Sequence, residues 1–409
     1  MEISDILLIS TQDWIHHPVP SRHHYIFEKL AKRYTVHVPH FHVSEGAERE
    51  TALKVHEATI VPSQSPFIHY TMNAPYHFLL MEKIIRENDI DVVVASHVLA
   101  GTAAITVAKR HGIPVVFDMK DWYPDGAAAY YKNKSLKAII REGVASITRY
   151  NLDRSDRIIT VSPSLVHLLE QQGYNAQLIT NGVDTDIFKP FDATETRTAL
   201  GFSKSDFVVG FVGSIEQFFD MYLLVSAFEK TKEYVDNAKL LIVGSSLFTP
   251  YEDEIKRFVV HRGLHNDVVF AGKKPYIELP RYVNSMDVCT IPMRGEWAKT
   301  ALPNKFFEYS ACKKPIVSVE IPDVMQMSPQ NVLFYENGVR DAFSHQLTNV
   351  ASNPDLWKEW CKEIDVTEYS WDEKARQMET ILIEEVNKRR SEKPMIGHSG
   401  THSSKLLGE

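Results

Sequence analysis

The chain has 409 residues, of which 44% are hydrophobic and 24% charged, a balance typical of a globular protein with two domains. A formal net charge of −8 argues against general nucleic-acid binding, and three cysteines without a CxxC pair argue against a disulfide framework or a zinc-ribbon site. No apolar run approaches the ~18–20 residues that cross a bilayer and the first residues lack a basic region, so we expect no membrane span, no signal peptide and a cytoplasmic location.

The first half of the chain alternates continuous apolar strands with amphipathic helices. This order is typical of a parallel sheet that is covered on both faces, and right-handed crossovers would make it a doubly wound domain. The predicted strands are Asp5 to Ser10, Tyr34 to Pro39, Asp91 to Ala95, Pro114 to Phe117 and Arg157 to Val161, and the predicted helices are Arg22 to Arg33, Ala100 to His111, Ser135 to Leu152 and Ser164 to Gln172.

The same pattern restarts in the second half, after polar residues and Pro190 interrupt the periodicity. The predicted strands are Phe207 to Phe211, Lys239 to Val243, Val268 to Ala271, Val288 to Ile291 and Pro315 to Val319, and the predicted helices are Met221 to Thr231, Glu252 to His261, Leu279 to Ser285, Asn304 to Cys312 and Trp371 to Lys388. We therefore predict an α/β fold with two doubly wound, Rossmann-like domains, residues 1–189 and 190–370, that face a cleft. The polar tail 391–409 is predicted to be disordered.

The start of one predicted helix carries the first candidate site. Pro303 and Asn304 are typical helix-start residues, and Lys305 and Glu308 share a face of the helix because they stand three apart. Free N–H groups of a first helical turn favour an anion, and Lys305 adds a positive charge. Glu308 could accept hydrogen bonds from a diol such as a ribose. The arrangement suits a nucleoside diphosphate, although an ordinary Lys–Glu pair on a solvated helix has the same spacing.

Other candidates follow predicted strands, where ligands bind in doubly wound sheets. Gly213 and Ser214 follow the first strand of the second half and would let backbone approach a ligand closely, but a tight turn explains them equally. In the first half, His97, Lys120 and Asp121 lie at predicted carboxyl ends, and we select them as catalytic candidates. The alternatives are a satisfied buried histidine for His97 and a helix or turn cap for Asp121.

Histidines and an arginine crowd the loop after the first strand, namely His16, His17, Arg22, His23 and His24. We assign His17 and Arg22 to acceptor binding, with plain surface as the alternative. The irregular spacing of the histidines and the absence of HExxH argue against a metal. The two Asp-x-Asp strings, at 89–91 and 184–186, open a strand and follow a turn, so we predict no metal site.

Basic residues line the segment 130–149, together with Tyr130, Tyr131, Leu136, Ile139 and Ile140. Such a basic amphipathic face suits peripheral contact with an anionic membrane. A helix with one core face and one solvated face would show the same pattern, so both interpretations stay open.

Taken together, these stretches resemble the large retaining glycosyltransferase family of the GT-B fold, of the family 4 or group 1 type. The resemblance covers nearly the whole chain and rests on the order and spacing of several segments. These are Ile159 to Ser162 with Thr180 to Pro190, Gly210 to Ser214, Ala271 to Gly272, Glu278 to Tyr282, Pro303 to Val317, and Tyr369 to Trp371. It implies a nucleotide-sugar donor in the second domain, a final helix 371–390 that packs back on the first domain, and no metal or other cofactor.

The chain departs from the family pattern at the donor site. Of the typical Glu-x7-Glu pair only Glu308 is present, and Thr300 stands at the first position. The usual Arg and Lys-Gly after the second glycine turn are replaced by Ser214 and by residues 219–220. The resemblance thus implies ribose recognition by Glu308 but leaves the sugar contacts of the first glutamate unassigned.

Neutralisation of the diphosphate must then rest on other groups. We expect Lys305, Arg294 or Lys120 to contribute, together with backbone N–H groups; Lys120 stands where the family commonly has a histidine. The resemblance implies transfer from a nucleoside-diphosphate sugar, with retention of configuration, to a glycan or lipid-linked acceptor at the cytoplasmic membrane face. The acceptor class rests on residues 117–124, which look like polysaccharide and cell-surface members of the family, and on the basic segment 130–149. The alternatives are a nucleotide-sugar epimerase of the same fold and a degenerate, non-catalytic subunit.

Overall fold

A computed structural model of the chain describes residues 3–17, 20–44, 46–63, 65–128, 133–246, 249–299, 301–339 and 341–392. Three sequence predictions therefore fall wholly or partly outside the described residues. They concern Thr300, the basic segment at Tyr130 to Lys132, and the tail at residues 393–409.

The first domain contains a seven-stranded sheet whose described pairings are all parallel, in the order β3-β2-β1-β4-β5-β6-β7. Successive residues of β1 point to opposite faces, so Leu7 and Ile9 enter one hydrophobic core and Ile6 and Leu8 the other. The strands are β1 (Asp5–Ile9), β2 (Thr35–His40), β3 (Lys54–Glu57), β4 (Ile90–Ala95), β5 (Val115–Met119), β6 (Arg157–Thr160) and β7 (Ala176–Leu178).

Helices cover both faces of this sheet, as continuous apolar strands require. They are α1 (Arg22–Leu30), α2 (Pro66–Met72), α3 (Ala74–Glu87), α4 (Val98–Arg110), α5 (Tyr123–Ala128), α6 (Lys134–Arg154) and α7 (Pro163–Glu170).

The second domain repeats the design with a six-stranded parallel sheet in the order β10-β9-β8-β11-β12-β13. The strands are β8 (Phe207–Val212), β9 (Ala238–Val243), β10 (Val268–Gly272), β11 (Val288–Ile291), β12 (Ile316–Val319) and β13 (Val332–Tyr335). The helices are α8 (Thr194–Ala199), α9 (Met221–Lys232), α10 (Tyr251–His261), α11 (Leu279–Asn284), α12 (Gly295–Ala298), α13 (Asn304–Ala311), α14 (Pro322–Gln326), α15 (Ala342–Ser352) and α16 (Pro354–Lys362); Tyr276–Glu278 and Thr367–Tyr369 form short 3-10 turns.

Each sheet has a point at which the strand order reverses, between β1 and β4 and between β8 and β11. Ligands of doubly wound sheets bind at this crevice, beside the carboxyl ends of the strands. The loops at these two points contain His97 in the first domain and Gly213 and Arg294 in the second. The predicted fold class, two Rossmann-like α/β domains, is confirmed.

The chain returns to the first domain at its end. The Val183 N–H donates to the Tyr369 carbonyl at 2.8 Å, and the Trp371 N–H donates to the Val183 carbonyl at 3.0 Å. The last helix, α17 (Trp371–Glu392), then packs on α1 and β4, and it buries Trp371 and Met378 in the core beneath the first sheet. The helix includes Ser391 and Glu392, which were expected in the tail.

Candidate active site

Helix α13 begins at the cleft, where the predicted donor segment lies. Pro303 precedes its first turn in an extended conformation, and the Asn181 side-chain amide donates 3.0 Å to the Leu302 carbonyl just before it. Phe307 is fully buried and fixes the helix against the second core. The Phe306 N–H donates to the Pro303 carbonyl at 3.1 Å, whereas the N–H groups of Asn304 and Lys305, at the first two positions of the helix, point out of its start and can bind an anion. The buried Asn304 Oδ1 has no hydrogen-bond partner among the described residues.

Lys305 lies across the glycine turn after β8. Its ammonium is 4.5 Å from the centre of the Phe219 ring and 5.5 Å from that of Phe211. Within the described part of the chain it forms no ion pair, and only Glu308 attracts it electrostatically. Burial lowers the pKa of Lys305 to about 8. Apart from the Glu308 carboxyl group, no group of the described residues balances this charge, and a bound anion would add to that balance.

Two glycines make the close approach of Lys305 and the loops physically possible. Gly213 has a φ of +150°, and a Cβ built there would lie 2.4 Å from the Lys305 Nζ. Gly244, with a φ of +135°, would place a Cβ 1.9 Å from the Gly213 carbonyl oxygen. Any side chain at either position would therefore displace the lysine or the turn, which explains the glycines that the sequence shows here.

Glu308 lies one turn deeper and contacts the first domain through two tyrosines. The Tyr276 hydroxyl interacts with Glu308, and the Tyr276 ring lies 5.4 Å from that of Tyr25 on α1. Tyr25 in turn stacks on Trp371 at 4.9 Å. Burial raises the pKa of Glu308 to about 7, although Lys305 and Tyr276 act in the opposite direction. Glu308 is thus a buried acceptor at the junction of the two domains.

Arg294 lies beside the same turn but has partners already. One of its guanidinium nitrogens is 3.2 Å from the Asp220 carboxylate and 3.1 Å from the Tyr251 hydroxyl. Its buried Nε has no hydrogen-bond partner among the described residues. Ser214, at the end of the glycine turn, is half-buried. Their assignment to donor binding stays a prediction.

A buried ion-pair network occupies the carboxyl end of β5 in the first domain. The Asp118 carboxylate accepts from His23 Nε2 at 2.9 Å and lies 3.3 Å from Arg22 Nε. Burial alone would raise the pKa of Asp118, but Arg22 and His23 outweigh it and the net pKa falls below its ordinary value. Burial lowers the pKa of His23 to about 4, so this ring is a neutral donor at neutral pH.

Lys120 and Asp121 follow Asp118 directly. Burial lowers the pKa of Lys120 to about 8, although Asp121 and Asp118 raise it. Asp121 is exposed to solvent, but desolvation by the neighbouring protein raises the pKa of its carboxyl group, although Lys120 acts in the opposite direction. The loop therefore has a lysine that can lose its charge near pH 8 and a carboxyl group, both at the edge of the cleft.

His97 caps α4 and faces an aromatic surface. Its Nδ1 accepts from the Ala100 N–H at 3.2 Å, which leaves the proton on Nε2. The ring lies 3.8 Å from that of Tyr70. Burial lowers the pKa of His97 to about 3, so the imidazole is neutral and can donate a hydrogen bond but does not carry charge.

The two residues predicted on the acceptor side lie in different environments. Arg22 is buried, donates 2.7 Å to the Ile179 carbonyl, and joins the Asp118 network. The His17 carbonyl accepts from Arg49 at 3.0 Å in the loop after β1. Sequence reasoning passed over Tyr25 and Tyr276 and noted His23 only as a member of the histidine cluster, because the partners of these residues are distant in the chain.

The basic segment is only partly within the described residues. Lys134 and Lys137 open α6 and are exposed, and Arg141 forms an exposed ion pair with Asp125 at 2.5 Å. Among the described residues, no helix is long and apolar enough to cross a membrane. Membrane contact of residues 130–149 stays a prediction.

Comparison with known proteins gives two family matches and many similar structures. Residues 23–187 match the model of Glycosyltransferase Family 4, and residues 206–353 match that of Glycosyl transferases group 1. Sucrose-phosphate synthase from Thermosynechococcus elongatus superposes with a TM-score of 0.73 at 16% identity, covering 92% of this chain and 98% of that one. Anabaena HepE in complex with UDP and glucose gives 0.70 at 16%, with 93% and 99% covered.

The curated relatives match only part of this chain. D-inositol 3-phosphate glycosyltransferase 1 of Catenulispora acidiphila is 24% identical over 251 residues, which covers 57% of this chain and 56% of that protein. The corresponding enzyme of Frankia alni is 24% identical with 56% and 58% covered. The chain thus spans a little over half the length of the curated relatives it matches.

Two Rossmann-like domains that face one another are the architecture of the GT-B fold class, which this chain shares with the similar solved structures. Within this class the chain belongs to the group 1, family 4 type, since each half matches the corresponding family model. The predicted resemblance to GT-B fold glycosyltransferases of the group 1, family 4 type is therefore confirmed, and the retaining mechanism stays a prediction.

Proposed function

We propose that the protein transfers a sugar from a nucleoside-diphosphate sugar to a glycan or lipid-linked acceptor with retention of anomeric configuration. The observation that carries the proposal is the Lys305 ammonium, which forms no ion pair within the described part of the chain and is held over Gly213 at the start of a helix that opens on the cleft. The family supports the reaction class, and the position of Lys305 at the start of α13 supports a binding site for the leaving group. The UDP bound by Anabaena HepE, a similar fold, agrees with such a donor.

The leaving diphosphate is the group that the site is best suited to bind. The negative charge of the diphosphate would offset the cost of burying the Lys305 ammonium. The first-turn N–H groups of α13 would donate hydrogen bonds to the diphosphate oxygens. As the sugar–oxygen bond breaks, negative charge grows on this diphosphate. A fixed cation and preformed N–H donors stabilise that charge without reorganising.

Glu308 would receive the ribose. A carboxylate accepts two hydrogen bonds from a vicinal diol, and Glu308 lies on the same helix face as Lys305, one turn away. Its raised pKa means that the group is only partly ionised near neutral pH in the free protein. Hydrogen bonds from the ribose hydroxyls favour the ionised form, so donor binding would lower this pKa.

The first domain would present the acceptor and assist the departing group. Neutral His97 can donate its Nε2 proton to a sugar hydroxyl, while Lys120 offers a second positive charge at the edge of the cleft. In the retaining reaction the bond from the anomeric carbon to the β-phosphate oxygen breaks, and a bond to the acceptor oxygen forms on the same face. The acceptor proton passes to the leaving diphosphate, so no protein base is needed for this step, and Lys305 with the N–H groups of α13 takes the place of a divalent metal in stabilising the diphosphate charge.

A thermal-shift screen of nucleotides and nucleotide sugars tests the donor part of the proposal. A ligand that binds only the folded state raises the melting temperature. We expect one nucleoside diphosphate and its sugar to do so in the wild type, and a smaller shift in Lys305→Met. Absence of any shift across the common bases would contradict a nucleotide-sugar site.

Product analysis then tests the chemistry. With the donor identified, proton NMR of the product gives the anomeric configuration, and inversion would contradict the retaining mechanism. Incubation of donor alone separates the alternatives: an isomerised sugar would indicate an epimerase, and binding without any turnover would indicate a non-catalytic member. Addition of Mg2+ or Mn2+ should leave turnover unchanged.

A further inference from the structure

A second cluster of chemically capable side chains lies outside the proposed donor site. Asp13 and His16 belong to the loop after β1, and His40 is the last residue of β2. These three residues, the Asp13 cluster, bring one ligand atom each to a common point. Their side chains are 0%, 15% and 8% exposed, respectively. The sequence analysis expected no metal here, because the parallel pairing of β1 and β2 that joins the two loops was not visible in local spacing.

The separations of the three ligand atoms match those around a small tetrahedral ion. Asp13 Oδ1 lies 2.9 Å from His40 Nε2 and 3.6 Å from His16 Nδ1, and the two imidazole nitrogens are 3.2 Å apart. In a tetrahedral zinc site with bonds of about 2.0–2.1 Å, ligand atoms lie about 3.3–3.4 Å from one another. Three atoms at these distances need little movement to share one ion.

Neighbouring groups hold the Asp13 and His40 side chains in place, as the hydrogen-bond partners of metal ligands do in metal proteins. Glu57 lies 3.3 Å from His40 Nδ1, which leaves His40 Nε2 directed at the cluster. The other oxygen of Asp13 accepts from the backbone N–H groups of Val43 at 3.1 Å and Ser44 at 3.0 Å. Asp13 Oδ1 accepts from the backbone N–H groups of Ile15 at 3.1 Å and His16 at 2.8 Å, so both carboxylate oxygens are held by the loop, and Oδ1 also lies beside the two imidazoles.

We propose that Asp13 Oδ1, His16 Nδ1 and His40 Nε2 bind a divalent transition-metal ion of the zinc class, with water at the fourth position. Two imidazoles and one carboxylate suit zinc rather than magnesium or calcium, which prefer oxygen ligands. The ion would tie the loop after β1 to the end of β2, at the carboxyl edge of the first sheet. It would stabilise this loop and takes no part in the transfer step.

Metal retention by tag-free protein tests the proposal directly. The protein is stripped with chelator, loaded with ZnCl2 and desalted, and bound zinc is measured by mass spectrometry. We expect about one zinc ion per chain, and a rise in melting temperature on loading, since the ion binds the folded state. Loading with Co2+ should give the intense visible absorption of tetrahedral cobalt.

Matched variants separate a site from adventitious binding by surface histidines. His16→Gln removes the most exposed ligand and should lower zinc retention about tenfold or more. His345→Gln changes an exposed histidine on α15, far along the chain, and should retain zinc like the wild type. Circular dichroism of each metal-free variant checks that it is folded. Sub-stoichiometric zinc in the wild type, or equal retention by His16→Gln, would show a hydrogen-bonded Asp–His network only and would overturn the proposal. The readout is metal content, so it does not depend on the transferase activity.

Discussion

Replacement of Lys305 by methionine should raise the free energy of unfolding of the protein but lower its catalytic rate. Methionine keeps an unbranched chain over Gly213 and the Phe219 ring but removes the charge. Burial lowers the pKa of Lys305 from 10.5 to about 8, which costs the folded state about 3 kcal/mol while the group is charged. A cation–π attraction of roughly 0.5–1 kcal/mol offsets part of this cost. We therefore expect the variant to be more stable by about 2 kcal/mol at pH 7, a shift of a few degrees in melting temperature.

The pH dependence of this difference has a definite sign. Below pH 8 Lys305 is protonated in the folded and unfolded states, so the full penalty applies to the wild type. Between about pH 8 and 10.5 the folded protein releases this proton before the unfolded chain does, and the penalty disappears. The stability advantage of the methionine variant should therefore shrink across that range.

The activity of Lys305→Met should fall, although its stability rises. Loss of one fixed donor at the developing charge typically lowers kcat by about 10²–10³. Differential scanning fluorimetry from pH 6.5 to 10 and steady-state kinetics check the two effects, with Lys358→Met, an exposed lysine, as control. A variant that melts lower than the wild type, or that loses less than about tenfold in kcat, would refute the assignment of Lys305 to the diphosphate.

Three further substitutions test the other groups. Glu308→Gln should weaken nucleoside-diphosphate binding about 10–100-fold by calorimetry, since hydrogen bonds to a charged acceptor contribute ~1.5–3 kcal/mol. Wild-type affinity should also fall as pH drops below the Glu308 pKa of about 7, and an unchanged pH profile in the variant would contradict this role. Asp118→Asn leaves a buried arginine without its counter-charge and should cost about 3–5 kcal/mol of stability, whereas Asp125→Asn, in an exposed pair, should cost under ~1 kcal/mol. His97→Phe should lower kcat/KM about 10–100-fold with little change in donor affinity, because it removes one hydrogen bond to the acceptor or sugar; a loss confined to donor affinity would place His97 elsewhere.

The buried parts of the fold were predictable from the sequence. β1 and β11 are continuous apolar runs, and their predicted bounds fall within one residue of the observed ones. β3 was missed because its residues, Lys-Val-His-Glu, lie on the polar edge of the sheet and are largely exposed. The α2–α3 region was missed too, since Pro66 and Pro75 and several histidines obscure its periodicity.

The candidate site was predictable only where its residues are close in sequence. The three-residue spacing of Lys305 and Glu308 correctly placed both on one helix. The contact between Tyr25 and Tyr276 joins different domains, and the Asp118 network joins α1 to β5, so no local pattern indicated either. Arg294 carried the right charge, but its ion pair with Asp220 depends on how the loops after β8 and β11 meet.

A crystal structure with the nucleoside diphosphate selected by the thermal-shift screen tests the central claim most directly. We predict the β-phosphate within about 2.7–3.2 Å of the Lys305 ammonium and of first-turn N–H groups of α13, with the ribose hydroxyls at Glu308. A nucleotide bound away from the start of this helix, or with its phosphates directed away from Lys305, would contradict the account.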